Sequence, residues 1–155
     1  MFDIIACFMA LMDIDDYQTS IREAARVLKT KGRFVFIITH PCFDTVIIKD
    51  TILDAWEFKE EGDKSPENAL FYKVDKYFDN RINIVKWKGK QIIEPFETTS
   101  FLRTLTDYSN ALHNAGLMIS RLYEPRPTDQ GVLVYPKLKL CLRIPHSIVI
   151  EAVKI

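Results

Sequence analysis

His40, His113 and His146 are the side chains of this 155-residue chain whose ordinary charge change falls near neutral pH. His40 opens the step "HP" just past the apolar run Arg33–Thr39, where an imidazole could orient a substrate or act as a base. A strand end stopped by Pro41 explains the same residues structurally. The other two histidines stand alone, which argues against a three-histidine metal site. Asp13, Asp15 and Asp16 have the look of a calcium loop, but Gln18 occupies the sixth position, where such a loop turns on glycine. Helix capping accounts for them better, with Asp15 as the cap and Gln18 completing a capping box. Cys7, Cys42 and Cys141 are odd in number and widely spaced, with no C-x-x-C pair, so reduced thiols fit better than a disulfide frame or zinc.

Two further patterns could bind rather than react. Arg103, in "LRTL", could clamp a carboxylate or phosphate with its forked guanidinium, and a salt bridge where a helix starts explains it equally. Seven aromatics fall between Phe71 and Phe101, namely Phe71, Tyr72, Tyr77, Phe78, Trp87, Phe96 and Phe101. Lys73 to Lys90 carries six basic and two acidic side chains, including Lys86, Lys88 and Lys90, a local excess that could meet RNA with bases stacked on rings. Lysines guarding exposed strand edges against aggregation explain it more simply.

These residues need elements to hold them. "FDIIACF", Phe2–Phe8, is too continuously apolar for a half-exposed strand and suits a parallel strand covered on both faces. Tyr17, Ile21, Ala24, Ala25 and Leu28 recur at helical spacing, and Gly32 is the expected left-handed cap. Arg33–Thr39 is again apolar, so strand, helix and strand with short joints imply a parallel crossover. Asp54 to Glu67 reads as an exposed loop or lid edge. Alternating residues from Leu70 to Phe101, broken at Asp79-Asn80 and at Gly89, predict an antiparallel meander. Thr106–Ala115 is an amphipathic helix closed by Gly116, and Leu117–Tyr123 is a strand. "EPRPTDQG" is a loop, Pro136–Arg143 adds a helical turn, and Ser147–Lys154 closes as a strand.

Composition frames one domain over 1–155, long enough to bury roughly 70% of its unfolded surface. Lys+Arg and Asp+Glu are 21 each, so no global field favours nucleic acid or an anionic membrane. The apolar runs fall far short of a membrane span and Met1 is followed by no basic leader pattern, which reads as cytoplasmic.

Taken together, "FDII", "REAARVLKTKGRFVFIITHP" and "FLRTLTDYSNALHNAGLMISRLYEPRP" resemble the C-terminal half of class I S-adenosylmethionine-dependent methyltransferases. Lys31-Gly32 stands for the family's glycine pair, Thr30 for its proline, Leu117 for its phenylalanine, and Leu102 and Thr104 flank Arg103 where the family has "H-R-P-L". The resemblance implies an α/β fold, a partial Rossmann-like sheet with equivalents of strands 4, 5, 7 and 6. Residues 1–45 and 105–155 would form its core and 54–104 an antiparallel insertion. It implies that Cys7, Phe8, Met9, Ala10 and Leu11, after the fourth strand, line S-adenosylmethionine; a run that merely packs the core is the plain alternative. It places His40 near a small-molecule acceptor, and Tyr72, Tyr77, Phe78, Trp87 and Arg103 around the acceptor pocket.

Strands one to three, with the donor-cradling Gly-rich turn, have no counterpart in that reading. The five glycines, at 32, 62, 89, 116 and 131, cannot form G-x-G. The expectation is a truncated methyltransferase-like transferase, inactive by itself and binding its donor poorly, whose first strand offers a bare edge. A homodimer, or a partner supplying the missing half, would cover that edge. A noncatalytic oligomerising or partner-binding module and an RNA-binding module are the alternatives.

Overall fold

The strand expected at Phe2–Phe8 is the first strand, β1, of the computed structural model, which describes residues 1–44, 46–48, 51–79, 81–87 and 93–155. A 3₁₀ turn at Leu11–Asp13 leads into helix α1, Tyr17–Val27, and the chain returns as β2, Leu28–Thr39. β2 lies parallel to β1, with Ile4 opposite Arg33 and Phe8 opposite Ile37.

Three local expectations are corrected here. The cap of α1 is Asp16, not Asp15: its carboxylate accepts from the Thr19 amide at 3.0 Å, one residue later than the Asp15–Gln18 pairing. The helix ends at Val27 because Leu28 is already extended and buried, and Lys154 donates to the Ala25 and Leu28 carbonyls at 2.7 and 2.9 Å, satisfying the helix end. The left-handed residue is Lys31, with φ 64°, while Gly32 sits inside β2. A Cβ on Gly32 would lie 2.8 Å from the Lys29 carbonyl oxygen and 3.2 Å from that of Asp3, so glycine is needed for close approach of β1 and β2.

The remaining strands fall into separate sheets. β3 (Val46–Ile48), β4 (Thr51–Phe58) and β5 (Ala69–Lys73) form an antiparallel three-stranded sheet. β6 (Arg81–Trp87) and β7 (Phe96–Leu102) form a hairpin of their own. The expected continuous meander is therefore divided, because β5 pairs backward onto β4 and not forward onto β6. The interval read as a loop from Asp54 begins inside β4; its charges masked the alternation that sets Trp56 edge-on to Tyr72 at 5.7 Å across the pair. Of the expected breaks, Asp79 lies in a turn, its amide donating to the Lys76 carbonyl at 3.0 Å, while Asn80 and Gly89 lie outside the described residues.

Helix α2, Leu105–Asn114, starts with the reciprocal capping box that α1 lacks, Thr104 with Asp107, and stops at Gly116, φ 73°. β8, Leu117–Tyr123, follows as expected. A short helix α3, Asp129–Val134, capped by Thr128, begins within the stretch read as a loop. A 3₁₀ segment at Pro136–Leu142 leads to β9, Ser147–Lys154.

β1, β2, β9 and β8 make one sheet in that order, with β9 antiparallel to both of its neighbours. One face carries Phe34, Phe36, Ile38, Ile148, Ile150 and Ala152, packed against Ile21 and Ala25 of α1 and Tyr108, Ala111 and Leu112 of α2. Coverage of β1 on both faces is not found. Ile5 and Cys7 join the core, but Phe2, Ile4 and Phe8, on the alternate face, are 59%, 51% and 78% exposed. β1 is also an edge strand among the described residues, so its outer backbone groups have no ladder partner there.

Candidate functional site

The carboxyl ends of β1 and β2 lie side by side, and the candidate residues were expected there. The Met9 amide donates to the Ile37 carbonyl at 2.9 Å, carrying the ladder one step past β1. Met9 then adopts φ 47°, a left-handed turn unusual for a side chain of its size. The five residues Cys7–Leu11 consequently split. Cys7 and Met9 pack against the core and Leu11 is buried within it, whereas Phe8 and Ala10 face solvent. Burial pushes the Cys7 thiol above its ordinary value, and hydrogen bonds from the Leu11 and Ala10 amides oppose that shift. Those amides thus close back on the protein's own sulfur.

His40 is 3% exposed at the end of β2. Its Nδ1 accepts from the Cys42 amide at 3.2 Å, which assigns the ring proton to Nε2, 3.0 Å from the Glu124 carboxylate. The ring packs on Phe43 at 4.8 Å, Phe43 meets Tyr72 edge-on at 6.2 Å, and Tyr72 meets Trp56. Arg143 stacks over Trp56 at 4.5 Å while donating to the Ala69 and Leu70 carbonyls, both at 2.7 Å. His40 and Tyr72 are thereby joined by one aromatic cluster.

Tyr77 lies beside it. Its hydroxyl accepts from the Leu105 amide at 3.0 Å, and burial raises the phenol, with that amide bond opposing. Phe78 packs on Tyr77 at 5.2 Å but is 85% exposed. Trp87 is not gathered with the others: it stacks on Phe96 at the far end of the β6–β7 hairpin and donates to Thr98 at 2.9 Å. Strand geometry puts it about 20 Å from the Arg81 end.

Arg103 faces the turn after β1. It donates to the carbonyls of Leu11, Ile14 and Asp15 at 3.3, 2.6 and 2.9 Å, and lies over the rings of Tyr17 and Phe101 at 4.1 and 5.0 Å. Neither the anion clamp nor the ion pair expected from the sequence describes these contacts.

Sequence reasoning missed several neighbours of the site. Asp13 is held above its ordinary value by desolvation, with a hydrogen bond to Ser100 of β7 opposing, and Ser100 is buried. The sequence marks Asp13 only as part of a cap, and Glu124, Phe43 and Trp56 went unremarked, although the run "HPCF" placed an aromatic near the histidine. The basic strip is partly neutralised: Lys73 pairs with Glu57 at 3.4 Å and Lys86 with Glu97 at 3.8 Å. Lys88 and Lys90 lie outside the described residues. Among the described residues no group of three His, Cys, Asp or Glu could hold a metal ion, and no helix is long and apolar enough to cross a membrane. A shallow depression lined by Arg121, Tyr123, Val149 and Glu151 lies on β8 and β9, on the sheet face turned away from the helices.

Comparison with known proteins bears on this arrangement. The family described as "Methyltransferase domain" matches residues 1–36. A Listeria monocytogenes protein assigned to the S-adenosylmethionine-dependent methyltransferases is 25% identical with a TM-score of 0.74, covering 99% of this chain and 62% of its own. An S-adenosylmethionine-dependent methyltransferase from Mesorhizobium loti is 24% identical with a TM-score of 0.72 and the same two coverages. One from Clostridium acetobutylicum is 14% identical with a TM-score of 0.55, covering 99% and 58%. The chain thus spans less than two thirds of the length of these solved relatives. No curated protein matches. With this sheet order and these neighbours, the chain has the fold of class I S-adenosylmethionine-dependent methyltransferases.

Proposed function

We propose that the chain is the later half of a methyltransferase sheet, with β1, β2, β9 and β8 standing for the family's strands 4, 5, 7 and 6. It would serve methyl transfer once the earlier half is supplied. The observation that carries this reading is the strand order β1–β2–β9–β8, in which two parallel strands are followed by one antiparallel to both neighbours. Residues 1–45 and 105–155 form the sheet unit in this reading, and 54–104 the insertion that covers the acceptor.

The residues present fit one wall of a donor site. Met9–Leu11 turn at the carboxyl end of a parallel strand, where open α/β sheets bind ligands. No two glycines stand close enough for a G-x-G phosphate- or ribose-side turn, so the other wall comes from elsewhere. S-adenosylmethionine, when bound, supplies a sulfonium methyl that passes to an acceptor lone pair as its carbon–sulfur bond breaks. Tyr72, Tyr77 and Phe78 form the apolar side toward an uncharged or weakly polar small acceptor, with Trp87 at the insertion's outer end. His40 orients Glu124 and the β2 end, because both of its ring nitrogens are engaged. Positioning and exclusion of water provide most of the rate in this chemistry, and a strong base is not needed.

Calorimetric titration of S-adenosylhomocysteine tests the reading: no heat from the chain alone at micromolar concentration, and a Kd in the micromolar range after the earlier half of the Listeria relative is added. Tight binding by a lone monomer would overturn it.

A second reading is favoured by Phe2, Ile4 and Phe8, exposed on one face of an edge strand. It is a noncatalytic module that pairs with another copy or a partner through β1. Concentration-dependent mass measurement separates the two, since only this one holds β1 paired without a donor half.

A further inference from the structure

We propose that Arg103 is the positioning residue of the donor-side turn, holding Leu11–Asp15 at the carboxyl end of β1 from the strand that ends the insertion. The inference rests on the reading of Cys7–Leu11 as a donor wall, but the contacts that carry it do not.

A guanidinium has five N–H donors in a rigid plane, and two of its nitrogens here reach three backbone carbonyls spread over five residues. Those carbonyls belong to the 3₁₀ turn and the two residues before the α1 cap, a stretch that makes few backbone bonds of its own: Asp13 to Ala10 at 2.9 Å and Ile14 to Leu11 at 3.4 Å. The same plane lies over Tyr17, the first residue of α1, and over Phe101 of β7. Tyr17 meets Tyr108 edge-on at 5.6 Å, and Tyr108 meets Phe36 of β2 at 6.0 Å. Burial raises the Tyr108 phenol to about 12, with a hydrogen bond from Arg103 opposing. One side chain therefore touches the turn, the first residue of α1 and the insertion, and is braced through Tyr108 against β2 of the four-stranded sheet. Ser100, three residues earlier, adds a second fastening at Asp13.

Lysine cannot reproduce this, because a single ammonium has no plane to stack and cannot reach both ends of the turn at once. An arginine so engaged has its fork turned toward the backbone and not toward an acceptor.

Amide hydrogen exchange of the intact chain tests the proposal without any donor, so it can fail while the donor reading stands, and the reverse. In Arg103→Ala, exchange at Met9, Asp13 and Ile14 should rise about tenfold while the amides of β2 and β9 keep their protection. Millimolar methylguanidinium should restore it, a response that a general loss of packing would not show. Arg103→Lys should fall between the two, and it carries the same test where the alanine variant does not fold. Unchanged exchange at those three amides, or a rise shared equally by β2 and β9, overturns the proposal.

Discussion

The four-stranded sheet and the β3–β7 region are built in opposite ways. The sheet's helix-facing side is closed by apolar packing: Ile21, Leu28, Ile38, Leu112 and Ala152 have no measurable exposure, and none depends on a polar partner. Dispersion and burial hold it, and such forces are indifferent to exact orientation. The β3–β7 region has a polar inner side instead among the described residues. Among the described residues Arg81, Asn83 and Ser100 are its buried side chains, and it is tied down by individual contacts: Arg103 on the Leu11–Asp15 turn, Tyr77 on Leu105, Arg143 on Ala69 and Leu70. Directional contacts fix where an element lies but contribute only about 1 kcal/mol each. The sheet should therefore carry the stability of the molecule, and β3–β7 its adjustable geometry.

Substitutions can break that contrast. The largest effect is expected in the sheet: Ile150→Ala, or Phe36→Ala, should cost about 3–5 kcal/mol in denaturant unfolding, because both are fully enclosed and leave a cavity. Gly32→Ala should come next, at about 1–3 kcal/mol, since the added carbon meets backbone oxygens at 2.8 and 3.2 Å that cannot withdraw cheaply. A loss from Arg143→Ala as large as that from Ile150→Ala would contradict the comparison. That variant should lower the unfolding free energy by only about 1–2 kcal/mol, while raising proteolysis near Ala69 and Leu70.

Two smaller tests use titration. The folded-state value of Asp13 is raised, so its contribution is favourable below the ordinary carboxylate value and is lost as pH rises through the raised one. Asp13→Asn should accordingly be more stable than the parent at neutral pH, with the difference vanishing in acid, as read by thermal unfolding across pH. Ser100→Ala removes the opposing hydrogen bond and should enlarge the parent's loss. Cys7 should be alkylated by iodoacetamide more slowly than a free thiol at pH 8, because burial keeps it protonated, and the rate should climb at higher pH.

Much of the sheet was legible because its signals are local. Unbroken apolar runs marked β1 and β2, and the capping and glycine pattern bounded α2. The errors fell where a non-local contact overrode a local preference. Gly32 looked like a helix cap, yet α1 ends five residues earlier because Leu28 is drawn into the core and Lys154, from the far end of the chain, takes the helix carbonyls. The meander looked continuous since every strand alternates, but alternation does not say which strand pairs with which; β5 found β4 through Trp56 and Tyr72.

The candidate site shows the same division. The types of residue that gather around the ends of β1 and β2, an imidazole, thiols, aromatics and an arginine, are written in the sequence and bound what chemistry they can do. Their engagements are not: His40 meets Glu124 across 84 positions and Arg103 meets Leu11 across 92. Periodicity and capping act over a few residues and marked β1, β2, α2, β8 and β9 from the sequence itself. Which donor meets which acceptor depends on how those elements stack, and only the tertiary structure could decide that Arg103 points at a backbone turn and that β1 leaves Phe2, Ile4 and Phe8 open.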